Sequence, residues 1–186
     1  MEKEPFPEEE IIQGCKKEKR YYQELLYRRF APTMYGVCMS YAKNREQAGD
    51  ILHDAFLKIF RNIKSYNHSG SFEGWIRRIV TNTAIDQMRK KNKDLSLITE
   101  DIPDSADNED IKKPGINMNE LLEQVARLPE GARVVFNLYT LEGMNHYEIA
   151  EKLNISVGTS KSQFSRAKKM LQTWLNEIIH KRDGFS

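Results

Sequence analysis

The sequence predicts an all-α protein made of two small helical domains that are joined by a flexible acidic linker. Apolar residues recur at intervals of three and four through most of the 186 residues, which is the spacing of an amphipathic helix. No stretch of useful length alternates between apolar and polar residues as a half-buried strand does. A segment that contains Pro103, Pro114 and Gly115 lacks the helical spacing and separates two helical blocks.

The N-terminal helical block, residues 20–92, contains three predicted helices. Pro32 interrupts the first apolar series and is expected to kink or restart the helix there. Asn44 is predicted to begin the second helix as its N-cap. A polar loop with aromatic flanks, residues 66–72, precedes the third helix, which is predicted at 74–89 and ends in a basic cluster.

The distribution of charge supports this division. Residues 94–111 hold seven acidic side chains and no basic one, so they contribute −7 to the formal net charge of +2, and the rest of the chain carries +9. Basic residues on helices at both sides of the acidic segment indicate nucleic acid as a partner. The predicted order is an N-terminal extension (1–19), a first domain (20–92), an acidic linker (93–119), a second domain (120–180) and a tail (181–186).

Composition excludes several classes of protein. No apolar run approaches the roughly 18–20 residues that span a bilayer, and the acidic N-terminus lacks the apolar core of a secretory signal. We therefore expect a cytoplasmic protein without membrane insertion. The two cysteines, Cys15 and Cys38, are predicted to be reduced, one near the surface and one in a core. Because the four histidines do not cluster with them, no metal site and no cofactor are predicted.

The strongest local pattern lies in residues 142–168 and predicts a helix-turn-helix. Gly143 ends one helix, Asn145 begins the next with a capping box, and a three-residue turn at 154–156 leads into a long helix. In this motif the second helix lies in the major groove of DNA. Its polar face is predicted to present Thr159, Ser160, Lys161, Gln163 and Arg166. The pattern alone does not separate a repressor from other DNA-binding proteins, and a helical hairpin with a merely solvated polar face stays an alternative.

Two parts of the N-terminal block resemble region 2 of bacterial sigma factors. Residues 48–60, AGDILHDAFLKIF, resemble the helix that binds the polymerase clamp, and 71–79 with 82–90 resemble the part that melts the promoter. In the second block, residues 128–162 resemble region 4, from Leu-Pro-Glu to Gly-Thr-Ser-Lys-Ser. The two blocks have the order and spacing of the extracytoplasmic-function (ECF) sigma factors, which lack the region between them.

The resemblance implies a non-enzymatic subunit that binds core RNA polymerase and directs it to promoters. One side of the 48–60 helix would bind the β′ clamp through residues that are three and four positions apart, namely Asp50, His53, Asp54 and Leu57. Region 4 would bind the β flap and the −35 element of promoter DNA. An anti-sigma factor that covers these surfaces is a further partner that the family allows.

The same resemblance assigns the −10 element to the 66–72 loop and the helix after it. Promoter melting requires that a base leave the stack and be held by aromatic and amide groups. Tyr66 and Asn82 are predicted to capture that base, whereas Phe72 and Trp75 are predicted to belong to the core. The full set of predicted −10 contacts is Tyr66, Asn67, Arg78, Asn82, Arg89, Lys90 and Lys91. The last three would bind phosphates without reading the sequence.

The sequence departs from the family pattern at four positions. Gly49 stands where an acidic residue is usual and His53 where Gln is common. Ser160 and Gln163 stand where Val and Arg are frequent, which bears on the promoter sequence that is read. Two other functions stay open. One is a two-domain transcription regulator that never binds polymerase, and the other is a nuclease, which would need clustered carboxylate or histidine ligands for a metal.

Overall fold

The computed structural model describes residues 6–91 and 116–183, and every regular element within these two ranges is helical, as predicted. The chain divides between Gln87 and Met88 into two compact units, called the N-terminal and the C-terminal domain below. Most of the predicted linker, 93–115, lies outside the described residues. The α-helices are α1 (Glu8–Lys16), α2 (Arg20–Tyr41), α3 (Arg45–Asn62), α4 (Phe72–Lys91), α5 (Met118–Arg127), α6 (Glu130–Thr140), α7 (His146–Leu153) and α8 (Val157–Asp183).

The N-terminal domain is built around one apolar cluster to which α1, α2, α3 and α4 all contribute. Fully buried members include Leu26 of α2, Ile51 of α3 and Ile76 of α4. Burial of each such side chain stabilises the fold by about 1.5–3 kcal/mol relative to exposure. A 3-10 turn, Ile63–Ser65, follows α3 and turns the chain toward α4.

Pro32 does not divide the second helix as the restart prediction required. The structure has a single helix, α2, from Arg20 to Tyr41, with Pro32 inside it. A proline in a helix interior removes one backbone donor and crowds the carbonyl four residues earlier. The apolar residues on both sides of it, Phe30 and Met34, are buried in the same cluster, so tertiary packing outweighs that local cost.

α1 was not expected to belong to the first domain, because residues 1–19 were predicted to be an extension. Its Ile11, Ile12 and Cys15 are buried in the same apolar cluster as α2. The prediction of one cysteine near the surface is wrong, since Cys15 and Cys38 are both buried free thiols. Burial raises the pKa of Cys15 to about 11 and that of Cys38 to about 12.

The start of α3 follows the sequence-based prediction closely. The Asn44 side chain accepts a hydrogen bond of 2.9 Å from the Gln47 backbone N–H, as an N-cap does. The Gln47 side chain reaches back to accept from the backbone N–H of Lys43, also at 2.9 Å. The reciprocal bond of the capping box is therefore displaced by one residue from the N-cap.

The C-terminal domain contains α5 to α8, and α8 packs against each of the other three helices. α5 begins inside the predicted linker, with Asn117 and Glu120 forming a capping box at its start. α8 extends into the predicted tail, where Arg182 pairs with Glu120 of α5. One apolar cluster of this domain consists of Val125, Leu128, Ala132, Phe136, Ala167 and Leu171.

Polar groups also occupy the interior of the C-terminal domain. Arg133 is only 2% exposed, and its Nη1 donates a hydrogen bond of 2.7 Å to the Ala126 carbonyl, which joins α6 to the end of α5. Burial lowers the pKa of the Arg133 guanidinium, although the negative charge of Glu130 opposes this shift. The buried polar side chains of this domain are Gln124, Arg133, Asn137, Ser160 and Gln163.

Candidate nucleic-acid and polymerase interface

The four residues predicted to bind polymerase lie together on the solvent side of α3. Asp50, His53, Asp54 and Leu57 are all exposed, whereas Ile51, Ala55 and Ile59 of the same helix are buried. Leu57 is 41% exposed, which is a large fraction for an apolar side chain next to a formed core. We call these four residues the α3 surface.

Two polar contacts between α3 and α4 flank Leu57. The Gln87 amide donates a hydrogen bond of 2.8 Å to the Asp54 carboxylate. Lys58 forms an ion pair of 3.0 Å with Asp86. α3 is therefore linked to α4 by one polar contact before Leu57 in the sequence and by another directly after it.

The loop between the 3-10 turn and α4, residues 66–71, is called the recognition loop below. Tyr66, predicted to capture a base, is only 7% exposed. Its ring packs against Phe72 at 4.9 Å and Trp75 at 5.6 Å between centroids, and its hydroxyl donates to the Gly70 carbonyl at 2.9 Å. Tyr66 thus belongs to the core and is not available to stack on a base. Residue type alone does not decide between the two roles, because aromatic side chains serve cores and nucleic acids equally well.

The exposed part of the recognition loop is formed by the residues after Tyr66. Asn67 Oδ1 accepts hydrogen bonds from the backbone N–H and the hydroxyl of Ser69, which closes a tight turn. His68 has a φ of +63°, and Gly70 has a φ of +110°. His68 is exposed and its ring lies 4.6 Å from that of Tyr66. His68 is not among the predicted contacts, and neither its exposure nor its positive φ can be read from the sequence.

The remaining predicted −10 contacts lie on α4. Arg78 and Arg89 are exposed. Asn82 is partly buried and makes polar contacts within the protein. Lys90 and Lys91 end the helix, and their side chains lie outside the described part of the structure.

The helix-turn-helix forms as predicted, from α7, a three-residue turn and α8. Asn145 begins α7 with a full capping box that includes Glu148. Asn154 ends it in the left-handed conformation, with φ +56° and ψ +50°, which asparagine tolerates better than most residues. Ser156 Oγ then accepts from the Thr159 backbone N–H at 2.9 Å, which caps the start of α8.

Ser160 and Gln163, like Tyr66, are predicted DNA contacts whose side chains are buried in the structure. Ser160 is fully buried and Gln163 is 5% exposed, so neither side chain can reach a base edge. With Ala167, Leu171 and Leu175 they follow one another at spacings of three and four, and all five are buried on the same side of α8. The spacing of these five residues is visible in the sequence. Because serine and glutamine are usually exposed, however, residue type does not indicate that Ser160 and Gln163 belong to the buried side.

The outward side of α8 is therefore different from the one predicted. Lys161 is exposed, and Thr159 and Arg166 are partly exposed, so these three predicted contacts stay accessible. Ser162 and Ser165 are also partly exposed and lie beside Lys161 on the outward side. Tyr147, in the first turn of α7, is 76% exposed. None of the last three is in the predicted set, although the spacing of four residues from Lys161 places Ser165 on the same side of the helix.

His146, the first residue of α7, connects this helix to α8. Its Nδ1 lies 2.9 Å from Ser160 Oγ, and its ring lies 4.9 Å from Tyr139 and 5.7 Å from Phe164. Burial lowers the pKa of His146, and the positive charge of Lys161 adds to this shift. The neutral imidazole therefore suits this position, where it fixes the first turn of α8 against α7.

The described residues offer neither a cluster of metal ligands, as the nuclease alternative would need, nor a membrane-spanning helix. Within residues 6–91 and 116–183, no group of three or more His, Cys, Asp and Glu side chains lies together in a way that could hold a metal ion. Among the helices of these ranges, none combines the length and the apolar character needed to cross a membrane.

Comparison with known families identifies both domains. Residues 26–94 match the family model described as sigma-70 region 2, and residues 118–171 match the one described as sigma-70 region 4. The chain belongs to the sigma-70 family, and its curated relatives place it among the ECF sigma factors.

Two of these relatives come from Bacillus subtilis. The ECF RNA polymerase sigma factor SigW is 29% identical over 157 residues, which cover 78% of this chain and 84% of SigW. The ECF RNA polymerase sigma factor SigM is 28% identical over 158 residues, which cover 83% of this chain and 96% of SigM. Both relatives therefore match through the N-terminal and the C-terminal domain together.

A solved structure supports the fold. The sigma factor RpoE of Bartonella quintana, solved in complex with the anti-sigma factor NepR, matches with a TM-score of 0.50 and 22% identity. The match covers 85% of this chain and 98% of RpoE. At this level of identity the likeness concerns the fold.

Proposed function

We propose that this protein is an ECF-type sigma factor, a non-enzymatic subunit that binds core RNA polymerase and starts transcription at particular promoters. The observation that carries this conclusion is the occurrence of regions 2 and 4 of the sigma-70 family, in that order, in one chain. A DNA-binding regulator would explain α7 and α8 but not the region 2 match. A cytoplasmic location follows from this function, because transcription takes place there.

The α3 surface is the proposed site for the β′ clamp of the polymerase. Its support is the combination of two carboxylates with an exposed leucine on one side of a well-fixed helix. Apolar side chains at the centre of an interface, surrounded by polar ones, contribute a large share of binding energy. The β flap is expected to bind the C-terminal domain, and an anti-sigma factor that covers either surface stays a prediction.

The DNA-facing residues are proposed from the exposure of their side chains, with three exceptions. Lys90 and Lys91 are included for their position at the end of α4, and Asn82, which is partly buried, for its position on the same helix. For the −35 element they are Thr159, Lys161, Ser162, Ser165 and Arg166, and for the −10 element they are Asn67, His68, Arg78, Asn82, Arg89, Lys90 and Lys91. Lysine and arginine side chains bind phosphates and set the affinity, whereas the serine, asparagine and histidine side chains can bond base edges. Tyr66, Ser160 and Gln163 are not included, because their side chains are buried.

Run-off transcription with purified bacterial core polymerase and a library of genomic promoters tests this function. We expect a small set of specific transcripts that depend on the added protein. A Leu57→Ala variant should bind core polymerase roughly five- to thirtyfold more weakly, which corresponds to a loss of about 1–2 kcal/mol at one interface side chain. Tyr21→Ala, at another exposed side chain of the same domain, serves as the control. A folded protein that yields no specific transcript with any promoter would refute the proposal.

A further inference from the structure

α1 is part of the N-terminal domain although it precedes the segment that matches region 2, which begins at residue 26. Gly14 allows its close approach to α2, because a Cβ at this position would lie 2.1 Å from Cγ of Tyr22. The Tyr22 hydroxyl also donates a hydrogen bond of 2.9 Å to the Glu10 carboxylate. α1 is therefore held at one defined place on α2.

From this place α1 reaches the recognition loop. Lys16, at the C-terminal end of α1, donates a hydrogen bond of 3.1 Å from Nζ to the backbone carbonyl of Tyr66. The two residues are 50 positions apart, and the contact is partly buried. The same ammonium lies 6.0 Å from the centroid of the Tyr66 ring. A bond to a backbone carbonyl fixes the path of the chain at the first residue of the loop.

Two exposed contacts, one of them an ion pair, add to this hydrogen bond. Glu9 of α1 lies 3.8 Å from Nδ1 of His68 in the recognition loop. Glu18, just after α1, pairs with Lys64 of the 3-10 turn at 2.6 Å. Exposed ion pairs contribute little to stability, whereas a partly buried bond from an ammonium to a carbonyl is stronger. Lys16 is therefore the principal contact between α1 and the loop.

The loop needs such support because of its backbone. His68 adopts a positive φ of 63°, which is unfavourable for a residue with a side chain, and it persists only where the surroundings impose it. The ring of His68 contacts that of Tyr66, and its Nδ1 lies 3.8 Å from the Glu9 carboxylate. The exposed residues 67–69 therefore follow directly on the carbonyl that Lys16 binds, and His68 lies near a carboxylate of α1.

We propose that α1 positions the recognition loop for −10 DNA, and that Lys16 is its main positioning residue. The inference deepens the proposed function and rests on it, since it assigns to α1 a part in discrimination among −10 sequences. Lys16 does not contact DNA in this scheme. It fixes the Tyr66 carbonyl, so that the three exposed side chains that follow meet the unstacked bases in one arrangement.

The test compares Lys16→Met with Lys17→Met in the full chain, bound to core polymerase. Lys17 is the next residue and is exposed, so both variants lose one positive charge at the same place. Transcription is measured from a promoter found in the run-off screen, from a version with one changed −10 base, and from a version with one changed −35 base. The ratio of original to changed promoter gives the discrimination at each element.

Lys16→Met should lower −10 discrimination by roughly three- to tenfold, the range expected when one hydrogen bond is lost. Discrimination at −35 and affinity for core polymerase should stay at the wild-type level, and Lys17→Met should match the wild type in all three. Glu9→Gln should lower −10 discrimination in the same direction but less. Hydrogen exchange of the amides in residues 67–71 should be faster in Lys16→Met than in Lys17→Met.

The two proposals fail in different ways. If the wild-type protein gives no specific transcript, the sigma function itself is wrong. If the wild type is active but Lys16→Met and Lys17→Met have equal −10 discrimination, α1 does not position the loop. An equal loss at −10 and −35, or a loss of polymerase affinity, also overturns the inference, because it indicates general destabilisation.

Discussion

In the N-terminal domain the recognition loop lies at the edge of an apolar core and is contacted by side chains of α1, whereas in the C-terminal domain α8 is itself part of the core. α8 buries Ser160 and Gln163 on the side opposite to its exposed Lys161. A substitution in α1 can thus change how the loop is presented without removing core volume. In α8, buried residues that pack against the rest of the domain and exposed residues follow one another along the same helix. In the first domain the contacts from α1 therefore lie outside the exposed residues of the loop, whereas in the second domain buried and exposed residues belong to the same helix.

The largest difference between the domains should appear when each loses the same core group. Leu26 and Leu171 are both fully buried, and replacement of either by alanine should cost about 2–5 kcal/mol. Among the described residues, the C-terminal domain has fewer buried apolar side chains than the N-terminal domain. Leu171→Ala should therefore leave it largely unfolded at 37 °C, while Leu26→Ala leaves the N-terminal domain folded.

The two tryptophans make this measurement specific to each domain. Trp75 lies in the N-terminal domain and Trp174 in the C-terminal domain, so Trp174→Phe and Trp75→Phe backgrounds report thermal unfolding of one domain at a time. If Leu171→Ala leaves the C-terminal domain folded at 37 °C, or if Leu26→Ala unfolds the N-terminal domain to the same extent, the two domains do not differ in stability as expected.

A smaller loss of stability is expected from a substitution on the buried side of α8, and almost none from one on its outward side. Gln163→Ala should destabilise the C-terminal domain by about 1–3 kcal/mol, since it removes a buried side chain that makes polar contacts. Ser162→Ala should change stability by less than about 0.5 kcal/mol, as surface substitutions do, but should alter the preference among −35 sequences. Fluorescence melting and binding to a set of −35 duplexes measure the two effects. A change of −35 preference in Gln163→Ala at unchanged stability would restore its assignment as a base contact.

The smallest expected effect is a pH dependence confined to the C-terminal domain. Burial, and next the charge of Lys161, lower the pKa of His146, so the folded state binds a proton less readily than the unfolded state. The contribution of His146 is complete above the unfolded pKa of about 6.5. It is lost as the pH falls through that value toward the lower folded pKa.

The Trp75→Phe background allows this dependence to be measured between pH 8 and pH 5. The midpoint temperature of thermal unfolding of the C-terminal domain should fall as the pH approaches 5. In His146→Asn this midpoint should depend less on pH. Lys161→Met should reduce the slope only in part, because burial is the larger cause. A slope that is the same in wild type and His146→Asn would show that another group titrates.

Much of this organisation could be predicted from the sequence, because long amphipathic helices and their caps are local features. Asn44 and Asn145 each begin a helix where the capping pattern places them. α1 was missed because it is short and its apolar pair, Ile11 and Ile12, gives too little helical spacing to read. Its place in the core depends on contacts with α2, which no local pattern contains.

The candidate site was harder to predict than the fold. The α3 surface could be predicted, because helical spacing separates it from the buried side of the same helix. Tyr66 and Gln163 were misplaced for a common reason. Each has a side chain that suits either a core or a nucleic acid, and residue type was given more weight than position. The outward turn of His68 follows from a positive φ, which only the folded backbone shows.

The burial of Cys15 gives α1 a chemical reporter of its own. With a thiol pKa of about 11, roughly one molecule in a thousand carries the thiolate at pH 8. Because the sulfur is also shielded by α2, a thiol reagent can react at an ordinary rate only after α1 has separated from the domain. In a Cys38→Ala background, the labelling rate of Cys15 would therefore measure how often this helix opens. The same opening would separate Lys16 from the Tyr66 carbonyl, so this one rate would also report how often the contact between α1 and the recognition loop is broken.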